Sequence, residues 1–358
     1  MRKKYLKKVL SIGIVTTLIF NIVGCGADKQ NQTIISDEDV AQVSATQSEA
    51  NVDTVAGKEQ ITIRVADMSA WNNAYFEYGN EKGLLDEFFE NDKYDITFKI
   101  TSFANGPAEI EAFAAGELDF ASMGSMPATT GASSDYGFKI VAATDKTEHI
   151  GSFVALADSG ITSIADLKGK RVGTVFGGTL HYYTGRFLET AGLTYGDVEF
   201  INSGNETPSS LRAGELDAGA IGNNVAVELA NEGTTILLAD TIEGVIGFSE
   251  VCISDEIIEN HDGLAAILLK GYDRLYQYID ENKEDYLAYL GGLTGVETDS
   301  ILETWDFAEH KVYSLEDKEL LRNAEELLTW MQSQDMVANT DVTLDDIIDF
   351  SVAKEAGY

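Results

Sequence analysis

Two cysteines, Cys25 and Cys252, and four histidines, His149, His181, His261 and His310, are the side chains best suited to nucleophilic or metal chemistry. No two of them stand at a metal-ligand spacing, and neither a nucleophile elbow nor a phosphate loop occurs. The 60 acidic residues are too numerous for one carboxylate pair to stand out. The sequence thus points to no catalytic residue, no metal and no cofactor. A different stretch has a definite chemical capacity: Phe176-Gly177-Gly178-Thr179-Leu180-His181. It follows an apolar run from Arg171 to Val175 and precedes a helix-like run ending near Gly192. A strand that turns through glycines into a helix leaves backbone N–H groups unpaired, at the positive end of the helix dipole. Such a turn can hold an anionic or polar head group. A plain tight turn with a Thr N-cap has the same composition.

The elements that would position this turn are those of an α/β protein. Ile61 to Val65 and Asp95 to Ile100 alternate as strands do. Asn105-Gly106-Pro107 opens a helix with Pro at the first helical position. Then comes an internal echo. Ala115-Gly116-Glu117-Leu118-Asp119 leads into an apolar strand reaching Gly124, and Ala213-Gly214-Glu215-Leu216-Asp217 leads into one reaching Gly222. A Pro, at 107 and 208, precedes the helix in both copies. The repeat predicts two lobes of similar plan, each built on an open sheet. Crossings near 147–152 and 241–247 divide the chain into a middle lobe and an outer lobe made of both ends. Ligands of open α/β sheets bind beyond the carboxyl ends of strands, so two facing sheets would share a cleft, with the crossings as hinges. From Asp262 onward the chain is mostly amphipathic helix. Its tyrosines at 272, 276, 286 and 289 fall at helical spacing, as core residues do.

The chain has 358 residues, with 25 basic against 60 acidic side chains and a net charge of −35. That balance excludes nucleic-acid binding, which needs a basic footprint. Arg2, Lys3, Lys4, Lys7 and Lys8 stand before an apolar run from about Val9 to Val23, the pattern of a secretory leader. Its removal takes the mature charge to −40. The expected segments are a signal peptide over 1–24, a polar tether over 25–60, lobe 1 over 61–149 and 247–358, and lobe 2 over 150–246. Cys252, in the apolar run Phe248 to Ile253, reads as a buried inert thiol.

Ala165-Asp166-Leu167-Lys168-Gly169-Lys170-Arg171-Val172-Gly173, then Gly177-Gly178-Thr179 and His181, then Ala191-Gly192-Leu193, resembles the solute-binding proteins of ABC importers for aliphatic sulfonates, taurine and nitrate. Binders of thiamine-pyrimidine precursors belong to the same broad group. The likeness covers roughly Ile61 to Met336. It implies a two-lobed periplasmic-binding-protein-like fold of type II, with two hinge crossovers and a helical C-terminal part packed on the first lobe. Ile22-Val23-Gly24-Cys25 resembles a bacterial lipobox, which implies lipidation of Cys25 and anchoring on the outer face of the cell membrane. The resemblance further implies a monomer that captures a small solute, a sulfonate-, taurine- or nitrate-like anion or zwitterion, and delivers it to permease and ATPase subunits. Amine or pyrimidine-precursor binding, an enzyme, and a signalling or adhesion lipoprotein are the alternatives.

Carried over by position, the ligand-binding residues are Trp71 and Asn72, Ser125 and Met126, Gly177, Gly178, Thr179 and His181, and Asn223 and Asn224. Family members often have Trp, an acid and Pro where this chain has Asn223 and Asn224, so an aromatic wall is missing. For a cationic end of the ligand, Asp67 or Glu250 is the expected counter-charge, and His149 is a further candidate at the hinge.

Overall fold

A computed structural model describes residues 57–358. The expected leader, Cys25 and the tether up to residue 56 lie outside the described residues. The first strand begins at Glu59, two residues inside the expected tether.

Eleven strands are described: β1 (Glu59–Asp67), β2 (Tyr94–Ser102), β3 (Phe120–Gly124), β4 (Phe138–Thr147), β5 (Ser152–Leu156), β6 (Arg171–Thr174), β7 (Glu199–Asn202), β8 (Ala218–Ile221), β9 (Thr235–Ala239), β10 (Gly247–Ser254) and β11 (Ala308–Glu309). The helices are α1 (Tyr75–Glu81), α2 (Leu85–Phe88), α3 (Gly106–Ala114), α4 (Ser125–Ser133), α5 (Thr179–Thr190), α6 (Thr207–Arg212), α7 (Asn223–Asn231), α8 (Asp255–Asn260), α9 (Leu264–Glu281), α10 (Lys283–Thr294), α11 (Asp299–Thr304), α12 (Lys318–Ser333), α13 (Leu344–Ile347) and α14 (Phe350–Ala356).

The strands form two sheets, ordered β11-β4-β10-β3-β1-β2 and β7-β6-β8-β5-β9. Their plans match. In the first, β1 lies parallel to β2 and β3, and β10 runs antiparallel between β3 and β4. In the second, β6 lies parallel to β7 and β8, and β5 runs antiparallel between β8 and β9. The interior antiparallel strand of each sheet, β10 or β5, directly follows a crossing, so each crossing feeds the inside of a sheet rather than its edge; the two-residue β11, antiparallel to β4, only borders the first sheet. Helices cover both faces, which is why β3 and β8 read as unbroken apolar runs rather than alternating ones.

The two Gly-Glu-Leu-Asp copies make the same clasp in each lobe. Asp119 accepts from the Arg64 backbone N–H at 2.8 Å and from its Nε at 2.7 Å. Asp217 accepts from the Arg171 N–H at 2.8 Å and from its Nη2 at 2.7 Å. The carbonyl of the glycine in each copy, Gly116 or Gly214, receives the same guanidinium. Each clasp ties the turn before the third strand to the first strand beside it. Asp119 is 2% exposed and Arg64 only half-buried. Asp119→Ala should therefore destabilise the fold by about 1–3 kcal/mol, the cost of stranding a charged donor and an N–H, as read by chemical denaturation. Asp217→Ala should cost less, because its partner is more open to water.

Two cores result. One, beneath α9, gathers Tyr272, Tyr276 and Tyr286 with Phe76 and Phe120, so those tyrosine rings pack as expected. The other joins both sheets. Phe138 and Met123 of the first, Phe153 of the second, Phe187 of α5, and Leu320, Leu327 and Met331 of α12 belong to one cluster. The C-terminal helices α9 and α14 pack on the first lobe, as the resemblance implies, but α12 also reaches the second. Its Trp330 lies edge-on to Tyr182 of α5 at 5.1 Å, and its Asn323 accepts from the Ile246 N–H at 3.1 Å. α1 runs through Gly79 without a break. A Cβ there would meet Leu85 and Leu275 at 2.8 and 2.9 Å, so this glycine serves close packing, and the break falls at Gly83, with φ +68°.

Candidate functional site

Three helices begin at the carboxyl ends of strands and point their N-termini into one cavity between the sheets. Gly124, Gly178 and Gly222 are the N-caps of α4, α5 and α7, all in extended backbone and none with a side chain to cap the helix. All three line a cavity of about 370 Å³. Its floor and walls come from both lobes: Met68, Trp71 and Tyr75 from the first, Val175, Leu180 and Asn223 from the second. A second hollow of about 320 Å³ continues beyond Trp71, which borders both together with Val175 and Gly222.

The lobes touch across the mouth. Thr179 Oγ1 accepts from the Met126 N–H at 3.2 Å, so a side chain of α5 supplies the cap that α4 lacks. Asn205 Nδ2 donates to the Ala104 carbonyl at 2.9 Å, which also receives Trp71 Nε1 at 3.0 Å. At the back, the crossings hold each other. His149 Nδ1 is 2.7 Å from Asp240 Oδ2, and its ring stacks on Phe307 at 4.0 Å. Asn223 ties α7 to the same place, accepting from Ser152 Oγ and donating to the His149 carbonyl.

The structure brings most of the expected residues to the cavity, in roles that differ. Trp71, Gly178, Thr179 and Asn223 line the main cavity, and Asn72 and Asn224 line its extension. Ser125 and Met126 are buried in the first turn of α4, and the Met126 backbone is what Thr179 engages. The glycine cradle is shifted by one residue. Gly177, at φ +78°, gives its N–H to His181 Nδ1 at 3.2 Å, and Gly178 gives its own to the Val175 carbonyl at 3.3 Å. The donors left at the cavity are those of the first helical turn, Thr179 and Leu180, which have no partner within the helix by geometry.

His181 faces away from the cavity. It is 7% exposed and stacks on Phe176 at 4.9 Å, close to Trp330. Burial pushes its imidazole down to about 4, so it is neutral and free to accept the Gly177 N–H. Its place is to hold the turn from behind. His149 belongs to the hinge, and the cavity is lined instead by its neighbours Ile150 and Gly151.

Of the expected counter-charges, neither reaches the cavity. Asp67 is fully buried and caps α1, accepting from the Phe76 and Glu77 N–H groups at 3.1 and 2.8 Å. Burial pushes it up to about 7 despite those bonds. Glu250 is 1% exposed and shares its strand face with Phe248 and Cys252. The charged residue that does line the cavity is Asp145, at the end of β4. Its carboxylate receives Tyr276 Oη and Thr144 Oγ1, and His310 Nδ1 lies 3.5 Å away. Burial works against a charge on His310, but the hydrogen bond and charge of Asp145 outweigh it and raise the imidazole above its ordinary value. Sequence reading missed Asp145 together with Tyr75, Asn73, Asn105 and Ser249. One signal was available: β4 runs parallel to β3, so residues at its carboxyl end meet the same cavity.

Comparison with known proteins agrees with this geometry. A Bacillus subtilis relative named for binding aliphatic sulfonates is 25% identical over 57% of this chain and 62% of its own length. A 4,5-dihydroxyphthalate decarboxylase of Comamonas testosteroni is 31% identical over 48% of this chain and 52% of its own. The chain thus spans between half and two thirds of these curated relatives. Among solved structures, the alkanesulfonate-binding protein SsuA from Xanthomonas axonopodis pv. citri, bound to MOPS, superposes with a TM-score of 0.71 at 18% identity, covering 81% of this chain and 99% of that one. The fold is that of periplasmic binding proteins, and such relatives include sulfonate and nitrate binders. The NMT1/THI5-like family model matches residues 86–285, more than half of the chain. With its paired sheets, its shared cavity and that match, the chain belongs to the NMT1/THI5-like family.

Proposed function

We propose that this chain is the solute-binding component of an ABC importer, held on the outer face of the cell membrane by a lipidated Cys25. It captures one small organic solute between its lobes as a monomer and hands it to permease and ATPase subunits. The observation that carries this reading is the cavity lined from both sheets, with three helix N-termini at its wall. A solute touching both lobes favours the closed arrangement over any open one, and that differential contact is what a receptor of this kind needs. The anionic end of a sulfonate-like anion or zwitterion would lie at the first turn of α5, where the Thr179 and Leu180 N–H groups and the dipole favour negative charge. An amine binder of the same fold is the second reading, favoured by Asp145 in the wall.

Binding without turnover is part of the proposal. Among the described residues, the one cysteine, Cys252, is fully buried, and burial pushes its thiol well up. Among the described residues, no Cys or His lines the cavity. A thermal-shift screen of sulfonates, taurine, nitrate, pyrimidines and amines should give a saturable rise in melting temperature for the true solute. At a hundredfold excess over Kd the gain is about 2.7 kcal/mol. Recovery of the solute unchanged after prolonged incubation should accompany it. A screen with no rise for any solute, or consumption of the solute, would end this reading.

A further inference from the structure

The cavity has a charge pattern that an anion receptor would not need. Among its described lining residues Asp145 is the one charged side chain, and no Lys, Arg or His joins it. Its carboxylate is 29% exposed. Its backbone has φ +57°, at the bulge where β4 slips register against β10 between Thr144 and Thr147, and the bulge turns the strand locally. Behind it stands a supporting chain. Tyr276 Oη donates to Asp145 on one side and is 3.1 Å from His310 Nδ1 on the other; that nitrogen itself lies 3.5 Å from Asp145 Oδ1, an ionisable partner behind the carboxylate and outside the lining, and His310 Nε2 lies 2.9 Å from the Trp305 carbonyl. Beside it in the wall is Tyr75, whose ring lies 5.2 Å from that of Tyr276. Ser122, Ser249 and Asn73 add neutral polar atoms nearby in the lining.

We propose that Asp145 is the anchor for a protonated nitrogen, and that this cavity selects solutes carrying an ammonium group over simple anions. The inference rests on the solute-binding reading above. A carboxylate fixed from behind by Tyr276 and Thr144 keeps lone pairs toward the cavity. An ammonium placed there gains a charge-assisted hydrogen bond and the neighbouring aromatic faces. A solute that is purely anionic gains only the helix N-termini and meets the carboxylate as a like charge. The expected counter-charge at Asp67 or Glu250 is thus replaced by a residue that reaches the solute.

The test uses isothermal titration of the whole protein with three probes: 2-aminoethanesulfonate, ethanesulfonate and 1,4-diaminobutane. At least one amine probe should bind, and ethanesulfonate should bind at least about tenfold more weakly than its amino counterpart. Asp145→Asn should weaken the amine probes at least about tenfold and leave ethanesulfonate unchanged or tighter. Unfolding of the ligand-free variant controls for folding, and asparagine tolerates the left-handed backbone. Equal binding of ethanesulfonate and 2-aminoethanesulfonate, or unchanged amine binding in Asp145→Asn, would overturn the assignment. Failure of both amines while a solute without an ammonium group binds in the wider screen would overturn it too, leaving the importer reading intact. Failure of every solute in both experiments would overturn the two together.

Discussion

Gly124→Val should abolish closure of the cleft while leaving both lobes folded. A Cβ at Gly124 would fall on Thr179 Oγ1, with Thr179 Cβ only 3.3 Å away, and Thr179 belongs to the opposite lobe. The valine methyl groups reach further still. Within one lobe a neighbour could move aside, but here the cheapest relief is for the lobes to part. Parting also breaks the cap that Thr179 gives to the Met126 N–H, a contact of the kind worth about 1 kcal/mol. Affinity for the solute should fall by at least about a hundredfold, or 2.7 kcal/mol, and small-angle scattering with solute present should keep the radius of gyration of the free form. Gly124→Ala should lose less, and Thr179→Ala should recover part of that loss because the nearest obstructing atom is gone. An unaltered affinity in Gly124→Val would show that the lobes do not meet at this point in the bound state.

The second large effect is on stability and depends on pH. Glu250 is buried, its Oε2 has no hydrogen-bond partner among the described residues, and burial alone pushes its carboxyl up to about 8. The unfolded chain holds this proton with the ordinary value near 4.5. Folding therefore favours the protonated acid. The benefit is complete below pH 4.5 and drains away as pH rises from there to about 8, on the order of 1.4 kcal/mol for each pH unit between. Glu250→Gln has the same shape and no charge. It should match the parent at pH 4.5 and exceed it by a few kcal/mol at pH 8, measured by chemical denaturation. A stability difference that does not grow with pH would refute this account. Glu109 obeys the same rule, with neither carboxyl oxygen partnered among the described residues and its carboxyl raised by burial and by the charge of Asp67.

The plan of the fold was legible because it is written in short-range chemistry. Gly-Glu-Leu-Asp recurs since each lobe needs a left-handed turn at Gly116 or Gly214 and a carboxylate to clasp the arginine of the neighbouring strand. The three strand-to-helix glycines announced themselves by position. What stayed hidden depends on partners far away in the sequence. His181 sits one turn into a helix whose N-terminus faces the cavity, and periodicity alone cannot say that Phe176 and Trp330 cover it. Asp145 lies where a strand pattern has faded into polar residues, and its access to the cavity depends on Tyr276, 131 residues later. The amphipathic stripe of α12 shows that it buries a face, not that this face meets both lobes.

That last contact bears on the order in which the chain can be completed. A ribosome releases the second sheet's strands, from Ser152 to Ala239, well before α12 at Lys318–Ser333. Until then Tyr182 lacks Trp330, and Asn323 cannot receive the Ile246 N–H. The first sheet waits as well, for β10 enters between β3 and β4 only after the middle lobe has been made. Neither half of the fold is finished ahead of the other, and the tail that seals one seals both.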